Sequence, residues 1–488
     1  MSVVTPDWVK HAVFYEIFPD RFGRSGHQRQ GSVQCPIWED WQSQPTLQGY
    51  KGGDLWGVLE RLDYLQDLGV TALYFTPIFQ SACNHRYHTH DYFQVDPLLG
   101  GNSALEALLK AAHARQIKIV LDGVFNHASR GFFFFNDILE NGAYSPWLDW
   151  FKIEGWPLAP YRGDLPANYV SWDNYRALPQ FNHDNPEVQA YLFEVAEFWI
   201  RFGIDGWRLD VPYEVKTPGF WQAFRQRVKA LNPQAYIVGE VWGDAQPWLG
   251  GSQFDGVMNY QFTGPTLAFV AGDRVLPELV EATAYEAFPA IDASIYGAKM
   301  QTLLQRHPWD IQLTQFNLLA SHDTARLLSI AQGDRSSVEL ATLLLFTFPG
   351  APCIYYGDEV GLPGGLDPDN RRVFPELSQW DAEILAVHRR LIELRHQHIA
   401  LRLGRYEVLV ASGGHYIFIR RHPDEVLMVA VNVETEVGQI RFSQSQAGIS
   451  VTDSVVLYGN PRCESFADKD GVVELAGRSG CILGCQGS

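Results

Sequence analysis

The sequence predicts an α/β protein: a (β/α)8 barrel with a small inserted subdomain after the third strand and a C-terminal antiparallel β-sandwich. Three observations predict this. Short apolar segments alternate with amphipathic helical ones over most of the chain. Three of those segments end in a carboxylate: Gly206-Trp-Arg-Leu-Asp210, Tyr236-Ile-Val-Gly-Glu240 and Asn317-Leu-Leu-Ala-Ser-His-Asp323. A β/α barrel keeps its catalytic groups at the C-terminal ends of its strands. Past Ile399 the pattern changes to short alternating strands.

In order, Val13–Phe18 reads as the first strand. A helix follows over Asp54–Gly69, with Asp54 as cap, Leu55, Val58, Leu59, Leu62 and Leu65 on one face, and Gly69 as stop. Val70–Phe75 is the second strand. Ser103 and Glu106 form a possible capping box for a helix to His113, and Ile117–Val124 is the third strand. From 128 to 184 no helical period is visible, only aromatic residues with Pro and Gly punctuation. So long a structureless loop does not suit a compact domain, and the stretch is assigned to an inserted subdomain. Pro186–Phe202 restores the alternation, with strands following at Ile204, Tyr236, Phe254, Asn317 and Cys353, which makes eight. Asp381–Gln397, with Ile384, Val387, Leu391 and Leu394 on one stripe, reads as the last barrel helix. The expected domains are therefore 1–127 with 185–398, 128–184, and 399–488.

The 488 residues carry a net charge of −18, which argues against nucleic acid or an anionic membrane as partner. No apolar run is long enough to span a bilayer, and the N-terminus lacks a basic-then-apolar signal pattern. The six cysteines are sparse and scattered, as free thiols in a reducing compartment would be, so a cytoplasmic location is expected. Cys481 and Cys485 have no histidines nearby and carry little weight as a metal site.

Asp210 sits two residues from Arg208, on the same side of a strand. A guanidinium and a carboxylate at the end of an apolar strand are costly unless paired or put to use. Four motifs follow in order at strand ends: Asp122-Gly-Val-Phe-Asn126-His127, Gly206-Trp-Arg208-Leu-Asp210, Gly239-Glu240-Val-Trp242 and Ser321-His322-Asp323. With these the chain resembles the α-amylase family of glycoside hydrolases (family 13), and within it the neopullulanase/cyclomaltodextrinase/maltogenic amylase group. The resemblance implies a retaining glycosidase, which needs a nucleophilic carboxylate and a protonated acid about 5–5.5 Å apart. It implies Asp210 as nucleophile, Glu240 as acid/base, and Asp323 as a third carboxylate gripping sugar hydroxyls. His127 and His322 would hydrogen-bond the same ring, and Tyr87 would stack on it. Asp367 and Arg371 match a pair holding the next sugar. Arg208 is expected to keep Asp210 ionised, and Trp242 to desolvate Glu240 or stack on the leaving side, as could some of Phe132–Phe135. Structural salt bridges remain the competing account of Asp367 with Arg371, and a satisfied structural role that of either histidine. Asp358 and Glu359 are read as structural.

Departures from the group's pattern stand beside the matches. His88 follows Tyr87 where an aspartate is usual. Pro212 and Tyr213 replace Ala-Asn after the nucleophile, so acceptor-side specificity is expected to differ. The barrel begins almost at Met1, where the group carries a β-domain of its own, so a more open site and a monomer or a different homodimer are expected. Asp20–Arg29 lacks calcium-binding spacing, so neither an essential metal nor another cofactor is expected. The partner implied is an α-glucan: maltodextrin, cyclodextrin or pullulan, cleaved at α-1,4 and also α-1,6 bonds with some transglycosylation. Two other readings stay open: a dominant glucanotransferase or isomerase, and a non-catalytic sugar-binding homologue.

Overall fold

The computed structural model describes residues 4–27, 37–281, 283, 285–465 and 470–487. Cys35, Gln28 and Arg29, which entered the cysteine and calcium readings, lie outside them. Eight short strands form the centre: β1 Phe14–Ile17, β2 Ala72–Phe75, β3 Lys118–Gly123, β4 Gly206–Leu209, β5 Tyr236–Gly239, β6 Gly256–Val257, β7 Phe316–Asn317 and β8 Ala351–Tyr355. They pair in parallel in the order β6-β5-β4-β3-β2-β1-β8-β7. A parallel bridge between Met258 and Phe316 joins the two ends, and the Asn259 N–H donates to the Phe316 carbonyl at 2.8 Å. The eight-stranded parallel sheet is thus closed, as a β/α barrel requires.

The helices form where caps and periodicity agree. Pro186–Phe202 has the predicted bounds: the Asn185 side chain accepts from the Glu187 N–H, Pro186 fits the first turn, and Gly203 at φ 120° ends it. Its apolar stripe, Val188, Leu192, Val195 and Trp199, is buried against the barrel. Elsewhere the sequence reading needs correction. The expected helix over Asp54–Gly69 is two helices, Leu55–Glu60 and Leu62–Leu68, parted at Arg61. The helix Gly101–Ala114 begins at Gly100 with no side-chain cap, so the Ser103/Glu106 capping box does not form.

Between β3 and Pro186 the chain is ordered, and the predicted absence of helix fails at Phe133–Asn141. Short bridges accompany that helix, Phe151 with Phe181 and Ile153 with Tyr169. Aromatic packing holds the segment. Phe134 stacks on Trp147 with ring centroids 3.8 Å apart, and Phe132, Phe135, Trp150 and Phe181 are buried around them. The phenylalanine run therefore builds a local core and does not line the cleft, contrary to one reading of it. Only Phe133 of the four is exposed.

After the helix Ala382–Gln397, eight strands make two antiparallel sheets. Arg405–Ser412, His415–His422, Glu425–Asn432, Ser479–Gly487 and Ile449–Tyr458 pair in that order, and Gly438–Ser443, Asp470–Leu475 and Arg462–Ser465 form the second sheet. Side-chain alternation along His415–His422 divides its burial. Tyr416 and Phe418 join the barrel-side core, whereas Ile417 and Ile419 pack with Met428, Ile440 and Leu483 in a separate core between the sheets. Among the described residues no helix is long and apolar enough to cross a membrane.

Candidate active site

The barrel's register builds the site. Asp122 on β3 sits opposite Arg208 on β4, so these side chains enter the barrel at one level. Arg208 is buried, and one of its terminal nitrogens lies 3.1 Å from Asp122 Oδ2 and 3.0 Å from Asp210 Oδ1. The other lies 3.1 Å from Glu240 Oε1. One guanidinium thus gathers three carboxyl groups from three consecutive strands. Asp210 and Glu240 are each the first residue beyond their strand, as the sequence implies.

The chain turns sharply after Asp210. Val211 has φ 34° and ψ 51°, a left-handed conformation that a β-branched residue rarely adopts. The turn aims the Val211 N–H at Glu240 Oε2, 3.0 Å away. The Trp242 indole N–H donates to Glu240 Oε1 at 3.1 Å. Trp242 therefore does not act on Glu240 by desolvation alone, as expected from sequence. It donates a hydrogen bond that fixes the orientation of the Glu240 carboxyl. Asp210 differs. Burial, and next the neighbouring Glu240 carboxylate, push its carboxyl well above the ordinary range, with Arg208 opposing. The expectation that Arg208 holds Asp210 ionised is therefore incomplete. Two buried carboxyl groups, Asp210 and Glu240, thus share the Arg208 cation.

Asp323 completes the floor, but not as a strand end. β7 stops at Asn317, and Asp323 follows in a turn. Its side chain is 32% exposed to the cleft, with His322 Nε2 at 3.1 Å and Arg371 at 3.4 Å. Loss of water would raise its carboxyl, but these two cations hold it below the ordinary value. Arg371 also pairs with Asp367 at 3.1 Å. The predicted pair is thus formed, and its arginine is shared with Asp323.

His322 is tied on both edges. Nδ1 lies 2.6 Å from Glu16 Oε1, and Nε2 lies 2.5 Å from the Tyr87 hydroxyl. Burial would lower its pKa, but Asp323 and then Glu16 raise it overall. The Tyr87 hydroxyl donates to Asp122 Oδ2 at 3.0 Å, so Tyr87, His322 and Asp122 form one network. His127 is the opposite case, with burial bringing its pKa down to about 3. Asn126 Nδ2 donates to His127 Nδ1 at 3.2 Å, and Gln180 Nε2 donates to Asn126 Oδ1 at 2.8 Å. His127 Nε2 has no hydrogen-bond partner among the described residues.

A cleft of about 810 Å³ brings together Tyr87, His127, Asp210, Glu240, Trp242, Asp323, Asp367 and Arg371. Arg208 and His322 lie beneath its floor, bonded to the residues that line it. Past Tyr213 and Trp242 a second lobe of about 470 Å³ continues to Asp244 and Trp248. Trp242 lines this lobe and is backed by buried rings: Tyr260 stacks on it, centroids 3.6 Å apart, and Tyr285 lies parallel at 6.1 Å. Sequence reasoning missed Glu16, Trp172, Tyr260 and Tyr285. An acid inside the apolar strand Phe14-Tyr-Glu-Ile was the available signal for Glu16. Nothing local separates the aromatic residues from core. Asp358 and Glu359 face away from the cleft: Asp358 binds Arg326 at 2.7 Å, and Glu359 accepts from the Tyr15 and Tyr64 hydroxyls. Asp20 is likewise engaged, accepting from the Lys51 and Gly52 N–H groups and pairing with Arg21.

The chain matches the family described as "Alpha amylase, catalytic domain" over residues 16–383. It belongs to the alpha-amylase family. A cyclomaltodextrinase of Geobacillus thermopakistaniensis is 41% identical over 442 residues, covering 89% of this chain and 71% of that one. Neopullulanase 2 of Thermoactinomyces vulgaris is also 41% identical, covering 91% and 73%. Among solved structures, the debranching enzyme from Nostoc punctiforme is 62% identical with a TM-score of 0.92, covering 99% of this chain and 100% of that one. In this alpha-amylase family member the four motifs therefore stand in a glycosidase barrel, each at the cleft end.

Proposed function

We propose that the protein is a retaining α-glucan hydrolase acting on α-1,4 and α-1,6 bonds through a glycosyl-aspartate intermediate. The observation that carries the reading is the Arg208 fork, which holds Asp210 and Glu240 side by side at the cleft floor with Asp323 exposed beside them. Arg208 binds Asp210 Oδ1, which leaves Oδ2 to attack the anomeric carbon. Glu240 gives a proton to the glycosidic oxygen as the C–O bond breaks, and the glycosyl ester forms on Asp210. Glu240 then takes a proton from water, whose oxygen attacks the same carbon and releases Asp210. Double displacement requires Glu240 to carry a proton and Asp210 to be ionised when substrate is bound. A sugar seated over Asp210 favours that placement because the carboxylate facing the positive anomeric carbon is the one stabilised.

His127 Nε2, Asp323 and Arg371 offer polar groups to the hydroxyls of the sugar at the cleavage point, Tyr87 offers its ring face, and Asp367 reaches the next sugar. Asp122, Asn126, Gln180 and Glu16 position these groups. The reading takes the chain from residue 128 to 184 as a subdomain forming one cleft wall, supported by Trp172 and Leu178. Relatives named cyclomaltodextrinase, neopullulanase and debranching enzyme support maltodextrins, cyclodextrins and pullulan as substrates. The second lobe supports action on long chains. Free thiols at Cys83, Cys353, Cys463, Cys481 and Cys485 fit action in the cytoplasm.

Maltoheptaose, β-cyclodextrin and pullulan compared side by side test the reading. Hydrolysis of all three is expected, with the first-released product in the α-configuration by proton NMR. A β-anomer as first product would contradict it, and product longer than the substrate as the main outcome would favour the transferase reading. Trp242, lining both lobes and backed by buried Tyr260 and Tyr285, supports some transfer to sugar acceptors. Trp242→Ala is expected to shift the product balance from transfer to hydrolysis and to raise KM, since a sugar loses an aromatic face in the second lobe. Chromatography of products at high maltose concentration reads this directly.

A further inference from the structure

The turn that carries Tyr87 joins the two strands of a hairpin, Phe79–Ser81 and Thr89–Val95. Its buried residues clamp it. Asn84 Nδ2 donates to the Gly49 carbonyl at 2.8 Å, and Arg86 Nε bonds Asp96 Oδ2 at 2.9 Å, with Arg86 in the left-handed region at φ 62°. Between these anchors Cys83, His85 and His88 are partly exposed and project together at the cleft wall. One nitrogen from each ring and the thiol sulfur all lie within 4.8 Å of one another. The mechanism uses none of the three, and no other group of this kind stands among the described residues.

We propose that Cys83, His85 and His88 form a site for a thiophilic divalent cation of the zinc(II) type, and that its occupation inhibits the enzyme. Thiolate with imidazole is the donor set that selects zinc over calcium or magnesium. Zn–S of about 2.3 Å and Zn–N of about 2.0 Å put tetrahedral sulfur and nitrogen ligands roughly 3.5 Å apart. Cys83 Sγ and His85 Nδ1 already stand at 3.5 Å, and a ring nitrogen of His88 lies within 4.8 Å of both ligand atoms. Three protein ligands leave a fourth position open toward the cleft, as in sites that bind water or an exchangeable group.

Cys83 binds as the cation displaces its thiol proton: the S–H bond breaks, the proton passes to solvent, and the sulfur–metal bond forms. Without metal, His85 Nδ1 accepts the Tyr87 N–H at 3.2 Å. Coordination takes that nitrogen away from the Tyr87 backbone, so occupancy disturbs the tyrosine whose hydroxyl joins Asp122 and His322. The ion also stands on the wall that a sugar chain must pass. The inhibition part rests on the proposed activity, but the binding part does not.

Cobalt(II) titrated into chelator-treated protein tests binding without any substrate. A sulfur-to-cobalt charge-transfer band saturating at one ion per chain is expected, lost in Cys83→Ser, weakened in His88→Ala and displaced by zinc. No band, or one unchanged in Cys83→Ser, would overturn the site. In assays, zinc is expected to inhibit reversibly with EDTA. Cys83→Ser should keep the zinc-free rate and need roughly tenfold or more zinc for half-inhibition, since loss of even a supporting group costs 10–100-fold in metal affinity. Equal zinc sensitivity in wild type and Cys83→Ser, with the cobalt band intact, would overturn the inhibitory role and leave a silent site.

Discussion

Asp210→Gly is expected to lose essentially all turnover of maltodextrins, by about 10⁴-fold or more, because a covalent step cannot proceed without its nucleophile. Glu240→Gln is expected to lose about 10²–10⁴-fold, the range that general acid–base catalysis supplies. The two losses differ in kind, and substrates reveal it. An activated leaving group needs no proton, so Glu240→Gln should recover much of its first step on an aryl or fluoride glycoside, whereas Asp210→Gly should not. Added azide should then attack from opposite faces: the Glu240 variant gives the α-glycosyl azide through the intermediate, and the Asp210 variant gives the β-azide directly. The same azide anomer from both variants would show that the assigned roles are wrong.

Arg208→Met is expected to cost about 3–5 kcal/mol of stability at neutral pH, because removal of one partner leaves buried charge without compensation. Three carboxyl groups lose their common cation at once. The pH dependence has a definite sign. Burial raises the Asp122 and Asp210 carboxyls above the ordinary carboxylate range, with Arg208 opposing. A carboxyl raised in the fold contributes its stability below the unfolded pKa, near 4, and loses it as pH rises through the folded value. Without Arg208 the folded values rise further. The deficit of Arg208→Met should therefore be largest at alkaline pH and shrink as pH falls toward about 4, measured by urea unfolding across pH. Residual activity should also change shape. Turnover needs a singly protonated pair, so both limbs of the pH–rate bell should move to higher pH. A pH-independent stability loss with unmoved limbs would mean that Arg208 serves packing alone.

Much of the site was legible because barrel geometry converts linear motifs into spatial ones. Asp210 and Glu240 each follow a buried strand directly, and a parallel register places adjacent strand ends together. Alternation alone put Arg208 and Asp210 on one side. Asp323 was legible as a motif but not as geometry, since its strand ends six residues earlier. Helices were legible where caps and period agreed, as at Asn185-Pro186 and Gly203, and illegible where a strong aromatic cluster built its own core, as at Phe133–Asn141. The Ser103/Glu106 motif failed because the left-handed Gly100 starts that helix one turn early. What sequence could not show was which aromatic residues reach the cleft. Trp172 has the composition of core, yet it lines the cleft beside His127, whereas Tyr260 is buried behind Trp242.

The covalent intermediate is the most direct test of the central claim that these strand-end carboxyls act as a retaining pair. A fluorinated maltosyl fluoride, which forms its ester faster than water can cleave it, can be incubated with the Glu240→Gln protein, and peptic peptides then weighed by mass spectrometry. The account predicts one sugar per chain, on the peptide spanning Gly206–Tyr213 and fragmenting at Asp210. A sugar ester on Asp323 or on Asp122, or complete turnover with no trapped ester, would contradict it.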